Sequence, residues 1–178
     1  MEKILLHACC ATCSGHCIEV LKSFQYEPIL YFYNPNIFPP EEFMKRYLEL
    51  ERYCKKYKIE LIVDKQDAMD WYNFIVGLEN EPEKGRRCDR CFELRLMQTA
   101  IKALSLKIDK FTTTLTVSPH KISKNIISIG EDVARRFNLQ FLDFDFKKQN
   151  GFQKTMNIAK KENFYRQSYC GCEFSLLN

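Results

Sequence analysis

The sequence predicts an α/β protein: a five-stranded, mostly parallel sheet with helices on both faces. Three observations carry this. Residues 3–63 read β-α-β-α-β, an order that in one sheet requires parallel strands and helical crossovers. The stretches 111–117 and 140–146 supply two further strands, the first by its β-branched residues and the second by alternation. No internal repeat and no low-complexity linker divides the chain, so residues 1–178 form one domain, large enough for a real core.

In order, residues 3–8 read as a short buried strand, and Ser14–Phe24 as a helix with Ile18, Val20, Leu21 and Phe24 as its apolar positions. Cys9, Cys10 and Cys13 then lie in the turn between them. Glu27–Tyr33 is a second apolar strand. Residues 34–40 form a loop, by three prolines and two asparagines. Glu41–Tyr57 has helical period through Phe43, Tyr47, Leu50 and Cys54, and Ile59–Val63 is the third strand. Residues 68–82 look helical, ending near Gly77. A helix starts at Cys88 and runs to about Leu104. Phe111–Val117 is the fourth strand, ended by Ser118-Pro119-His120; Asn125–Phe137 is helical and Gln140–Phe146 is the fifth strand. The tail is helical from Thr155 to about Lys161 and then irregular. Ligands on such sheets gather at the carboxyl ends of the strands, where Cys9, Cys10 and the 34–40 loop fall.

Composition excludes several classes. With 46% hydrophobic and 28% charged residues the chain looks globular, and no apolar run approaches the ~20 residues of a membrane helix. Residues 1–6 are too short for a signal peptide, so the expected location is the cytoplasm. Nine cysteines form an odd set, against a complete disulfide framework; clustered thiols in a reducing compartment are metal ligands or redox groups. Seven of them cluster: Cys9, Cys10 and Cys13, then Cys88-Asp89-Arg90-Cys91, then Cys170-Gly171-Cys172. Cys-x-x-Cys at a helix start turns both sulfurs one way, and the helix N-terminus favours thiolate. Neighbours in a strand point to opposite faces, but in a turn Cys9 and Cys10 can converge. Seven thiols exceed the four of a closed zinc site, and fit an iron–sulfur cluster beside a second, less saturated metal. A structural zinc with spare thiols is the competing reading.

Other candidates have plainer alternatives. Cys17, four residues after Cys13, is a further ligand or a buried helix residue, and Cys54 reads as a small buried hydrophobe. His7 reads as a packed core histidine. Asp89 is a metal ligand or a helix N-terminal charge. Thr112–Thr114 are strand formers that can also line a site at the strand end. The charge is uneven: residues 84–124 carry 10 Lys/Arg against 3 Asp/Glu, a basic face that is either a solvated surface or a seat for phosphate backbone. The turn after the first strand has no glycine-rich phosphate loop, only Gly15, so ATP use has no support there.

These motifs resemble the QueH-type epoxyqueuosine reductases. The matching stretches are His7-Ala-Cys-Cys-Ala-Thr-Cys-Ser14, Tyr33-Asn-Pro-Asn-Ile37, Arg87-Cys-Asp-Arg-Cys-Phe-Glu-Leu-Arg-Leu96, Phe111-Thr-Thr-Thr-Leu-Thr-Val-Ser-Pro119 and Tyr165-Arg-Gln-Ser-Tyr-Cys-Gly-Cys172, spread over nearly the whole chain. Thr12 departs from the family's usual proline, without removing a ligand. The resemblance implies a fold related to the adenine nucleotide alpha-hydrolases (HUP), with metal in place of nucleotide. It implies reduction of epoxyqueuosine at the wobble position of tRNA to queuosine, by an iron–sulfur cluster and an adjacent iron. On that reading Cys9, Cys10, Cys88 and Cys91 hold a [4Fe–4S] cluster, since the strand end and the helix start can face each other. Cys170 and Cys172 hold a mononuclear iron completed by Asp89 or Cys13. Tyr165, Tyr169 and His120 are proton-donor candidates. The basic residues 84–124, Lys121 and Lys124 among them, with Lys147, Lys148, Lys154, Lys160, Lys161 and Arg166, can follow the tRNA backbone, and aromatics of residues 31–38 can stack on an unpaired base. The partners are tRNA carrying epoxyqueuosine and an external electron donor, with no membrane. The alternatives are a zinc-stabilised nucleic-acid-binding protein without catalysis and an ATP-using tRNA thiolation enzyme.

Overall fold

The computed structural model describes residues 1–176; the last two residues of the expected domain, 177 and 178, lie outside the described residues. Five strands, β1 (Glu2–His7), β2 (Tyr26–Phe32), β3 (Leu61–Val63), β4 (Lys110–Thr113) and β5 (Gln140–Phe141), form one sheet of order β3-β2-β1-β4-β5. All four pairings are parallel. The helices are α1 (Ala11–Ser23), α2 (Pro40–Tyr57), α3 (Ala68–Phe74), α4 (Arg86–Ser105), α5 (Ser123–Phe137), α6 (Gly151–Lys161) and the short α7 (Glu173–Leu176). None of the described helices is long and apolar enough to cross a membrane.

Strand periodicity builds the layers. Ile4, Leu6, Leu30 and Phe32 point to one face, into a core shared with Ile18 and Leu21 of α1, Leu50 of α2 and Ala159 of α6. Leu5, Ile29, Tyr31 and Phe111 point to the other, against Trp71 of α3, Leu96 of α4 and Val133 of α5. The helices therefore cover both faces. From β1 the chain winds outward through β2 and β3, then crosses to β4 and β5. The order reverses between β1 and β4, the place where doubly wound sheets open a crevice.

Several boundaries differ from the sequence reading: the helix expected over residues 68–82 is the shorter α3, ending at Phe74, and the tail helix α6 begins at Gly151 rather than Thr155. Helix α1 begins at Ala11, so Cys13 lies in its first turn and Cys10 is its N-cap. The expected fourth strand ends at Thr113, and Thr114–Val117 is a 3-10 turn because the Thr113 hydroxyl accepts the Leu115 N–H at 3.1 Å. The fifth strand stops at Phe141 rather than Phe146: β4 runs on to Thr113, but beyond the Phe111–Phe141 pair the Thr112 and Thr116 hydroxyls bond the carbonyls of Leu142 (2.7 Å) and Phe144 (2.8 Å) instead.

Candidate metal centre

The crevice at the reversal point is filled from β1. His7, fully buried, ends the strand with its Nε2–H donating to the Tyr33 carbonyl (3.1 Å), while its Nδ1 accepts from the Thr113 hydroxyl (2.9 Å). Burial, helped by the Arg95 guanidinium, pushes its pKa down from 6.5 to about 3, so the ring is neutral. Two residues on, the Thr114 hydroxyl accepts the Cys9 N–H at 3.2 Å and donates to Cys9 Sγ at 3.4 Å, which joins the ends of β1 and β4. Cys10 is extended and its sulfur accepts the Cys13 N–H at 3.4 Å, a thiol serving as helix cap. The Gln167 amide donates to the same sulfur at 3.2 Å.

These contacts bring the sulfurs of Cys9, Cys10 and Cys13 within 4.8 Å of one another, the only group of three or more His, Cys, Asp or Glu donors so placed among the described residues. Hydrogen bonds from Cys10 and Cys13 hold the Cys9 thiol well below its ordinary pKa, and the charges of Lys121 and Arg95 act in the same direction. Cys13 pulls Cys10 down, but Cys9 and burial outweigh it and push Cys10 up to about 12. The donor set is soft, close-spaced and backed by cations, which fits a thiolate-bound metal.

A cavity of about 390 Å³ opens over this trio. Cys9 and Cys13 line it, as do Cys88, Asp89 and Cys170, so all three cysteine clusters contribute to one chamber. Cys88 and Cys91 lie on the first two turns of α4; burial pushes Cys88 up to about 11, and the charges of Cys91, Cys170 and Cys172 add to it. Cys91 and Cys172 are buried behind the wall. Asp89 accepts from Asn125 Nδ2 at 3.4 Å. Cys17 is fully buried and donates to the Cys13 carbonyl at 3.1 Å, and Cys54 is buried on the inner face of α2.

The remaining candidates separate. His120 and Tyr169 line the cavity. Tyr165 is half-exposed with its hydroxyl donating to Glu42 Oε2 at 2.9 Å, and the Tyr169 hydroxyl donates to the Phe38 carbonyl. Lys121 lines the cavity, and the negative charge of Cys170, Cys9 and Cys13 raises its pKa against the opposing effect of burial. Lys147 ties the loop beneath it, with Nζ donating to the carbonyls of Lys121 (2.6 Å) and Ser118 (3.3 Å). Lys124 and Lys148 are exposed, and exposed Arg166 lines the cavity.

Three functional residues have no signal of their own in the sequence. Arg95, 3% exposed, donates to Asn34 Oδ1 at 2.6 Å, and Asn34 Nδ2 donates to the Ala8 carbonyl at 3.0 Å beside the thiols. Gln167 and Arg46 look like ordinary polar residues until the fold places them at the cavity.

Fold and site together define a doubly wound α/β protein whose sheet reversal opens a thiol-lined crevice able to hold a metal. The chain matches the family model described as epoxyqueuosine reductase QueH over residues 4–178 and belongs to that family. It is 38% identical over 176 residues to the epoxyqueuosine reductase QueH of Haemophilus influenzae, covering 98% of this chain and 72% of that one. It is 37% identical to the Acinetobacter baylyi protein of the same name (98% and 81% covered) and 30% identical to that of Thermotoga maritima (99% and 92%). Among solved structures, a predicted subunit of tRNA methyltransferase from Methanocaldococcus jannaschii shares the fold, with a TM-score of 0.63, 13% identity and 94% of each chain covered.

Proposed function

We propose that this protein reduces epoxyqueuosine in tRNA to queuosine, the last step of queuosine biosynthesis. The observation that carries it is the single chamber lined by Cys9, Cys13, Cys88 and Cys170, in a chain belonging to the epoxyqueuosine reductase QueH family. Removing the epoxide oxygen as water takes two electrons and two protons. The electrons come from an external donor. The thiols would hold a [4Fe–4S] cluster on Cys9, Cys10, Cys88 and Cys91 and an iron on Cys170 and Cys172, with Asp89 or Cys13 completing it. The mutual approach of the Cys9, Cys10 and Cys13 sulfurs favours a variant of that division, with Cys13 on the same centre as Cys9 and Cys10. Held by these thiols, a cluster would supply single electrons and an iron would supply Lewis acidity toward the epoxide oxygen.

The chain's own residues do the rest. Arg95 and Lys121 balance thiolate charge that a dry pocket would otherwise oppose. His120 and Tyr169 border the cavity, but the hydroxyls of Tyr169 and Tyr165 are already donated, to the Phe38 carbonyl and to Glu42, so His120 is the proton donor this geometry favours. The wobble nucleoside of tRNA enters the chamber, and exposed Lys124, Lys148 and Arg166 hold the flanking backbone.

Anaerobic purification with iron and sulfide analysis, followed by single-turnover assay on epoxyqueuosine-bearing tRNA, tests this reading. A brown protein that converts the nucleoside supports it, and a colourless zinc protein that binds tRNA without converting it would replace it with the binding-module alternative. Cys88→Ala bleaches the cluster absorbance while leaving the fold intact; an unchanged iron and sulfide count removes Cys88 from the ligand set.

A further inference from the structure

We infer that Arg46, on α2, is the positioning residue that shapes the Cys170–Cys172 loop into a metal-binding segment. The inference rests on the reading of Cys170 and Cys172 as ligands. The Arg46 side chain is 2% exposed and borders the cavity. Its Nε donates to Glu42 Oε1 at 2.7 Å, which aims the guanidinium. The two outer nitrogens then reach the loop: Nη1 donates to the Cys170 carbonyl at 3.0 Å and Nη2 to the Tyr169 carbonyl at 3.3 Å. Glu42 is fixed in turn by the Tyr165 hydroxyl at 2.9 Å. The chain Tyr165–Glu42–Arg46–Cys170 is thus a relay, buried at Glu42 and Arg46, from one end of the segment to its proposed ligands, and it gives Tyr165 a task other than proton donation.

The loop depends on this support. Residues 169–171 belong to no helix or strand, so their carbonyls need partners from elsewhere. Arg46 takes two, and the Phe38 N–H donates to the third, that of Gly171, at 2.7 Å. Gly171 has φ +131°, a conformation that side chains rarely adopt, and a Cβ there would stand 3.0 Å from Arg46 Nη1. The glycine between the two cysteines therefore lets the backbone lie against the guanidinium, which fixes where both sulfurs leave it. Lysine cannot replace the fork: one ammonium does not reach a carboxylate and two carbonyls in fixed directions.

The test uses whole protein prepared anaerobically, comparing wild type, R46Q, R46K, C170S and the double variant R46Q/C170S. Iron and sulfide per chain and the electron paramagnetic resonance spectrum of the reduced protein are the readouts, with circular dichroism as the fold control. R46Q and R46K should fold, lose the same fraction of iron as C170S and show its altered spectrum; R46Q/C170S should lose no more than C170S alone. Wild-type iron and spectrum in R46Q, or losses that add in the double variant, would overturn the inference. If R46Q does not fold, R46K, which keeps charge and stem, carries the comparison. Iron-free wild type would instead overturn the metal reading itself.

Discussion

Acidification should destabilise this protein through His7 before it protonates most carboxylates. The folded-state pKa of His7 is lowered from 6.5 to about 3, by burial first and by Arg95 second. Unfolding returns the ring to water, where it binds a proton below about 6.5. The contribution is therefore fully present above pH 6.5, declines as pH falls, and is exhausted near pH 3. Each pH unit in that window costs about 1.4 kcal/mol, so the loss is ~2 kcal/mol at pH 5 and ~5 kcal/mol in all. A domain stable by about 5–15 kcal/mol feels this. A metal held on the proposed thiols would also be lost in acid, so the measurement is a difference: anaerobic urea unfolding of wild type and H7Q at pH 7.5, 6 and 5. Glutamine offers the Tyr33 carbonyl an N–H without titrating. Whatever the offset at pH 7.5, the gap should move by ~2 kcal/mol in favour of H7Q by pH 5. Parallel pH profiles would refute the reasoning, since they would mean that His7 titrates alike in both states.

Further predictions concern packing, polar contacts and tRNA. A Cβ at Gly151 would fall 1.8 Å from the Phe146 carbonyl oxygen, one at Gly130 2.6 Å from the Phe141 ring, and one at Gly15 2.7 Å from Cγ2 of Ile158, a β-branched side chain stiff at χ1. Thermal unfolding should rank G151A as the most destabilised, with about 1–3 kcal/mol lost in each of G130A and G15A. N34A removes the acceptor of the buried Arg95 and should cost ~2–3 kcal/mol by denaturant titration, whereas an unchanged midpoint would show that Arg95 finds another partner. Because Cys54 lies apart from the cavity, C54A should keep wild-type iron content while C9A and C13A lose it. Three exposed cations at the tRNA face predict a slope of about −2 to −3 in log affinity against log salt; K148A should reduce it by roughly one, and salt-independent binding would contradict the assigned face.

The layers of the fold were readable because each strand carries its own evidence: Ile4-Leu5-Leu6 is apolar at every position, as a strand covered on both faces must be. The ends were harder, because side chains far apart in sequence decide them. Thr114, Leu115, Thr116 and Val117 have strand propensity, but that propensity reflects packing on a pleated neighbour. Here the Thr113 and Thr116 hydroxyls take backbone partners instead and the strand turns. The start of α1 was missed because its cap is a sulfur: Cys10 does what Ser, Thr, Asp or Asn usually does, and no cap signal precedes Ala11. The cysteine clusters could be picked out by spacing alone. Arg46, 124 residues from its Cys170 partner, could not, since a basic residue on an amphipathic helix carries no mark of the loop it supports.

The early start of α1 also explains how thiols occupy a place where such folds bind phosphate. The first turn of a helix presents free N–H groups, and an anion set against them is stabilised. In α1 the Cys13 N–H points at the sulfur of Cys10, which lies outside the helix and just before it. The Gln167 amide adds a second donor to that sulfur, the Thr114 hydroxyl a donor to Cys9, and Arg95 and Lys121 supply full positive charge. The donors of an anion seat are therefore present, set against sulfurs of the chain itself, of which Cys9 is the one held toward thiolate. A glycine-rich turn would leave this space to a ligand; Cys9 and Cys10 fill it with side chains that could themselves hold a metal. That exchange needs no change of fold, because β1, α1 and the reversal beside β4 are the same in either case. What it does require is a further anchor for the more distant thiols, and the proposed relay from Tyr165 through Glu42 and Arg46 holds the loop that sets Cys170 on the same chamber.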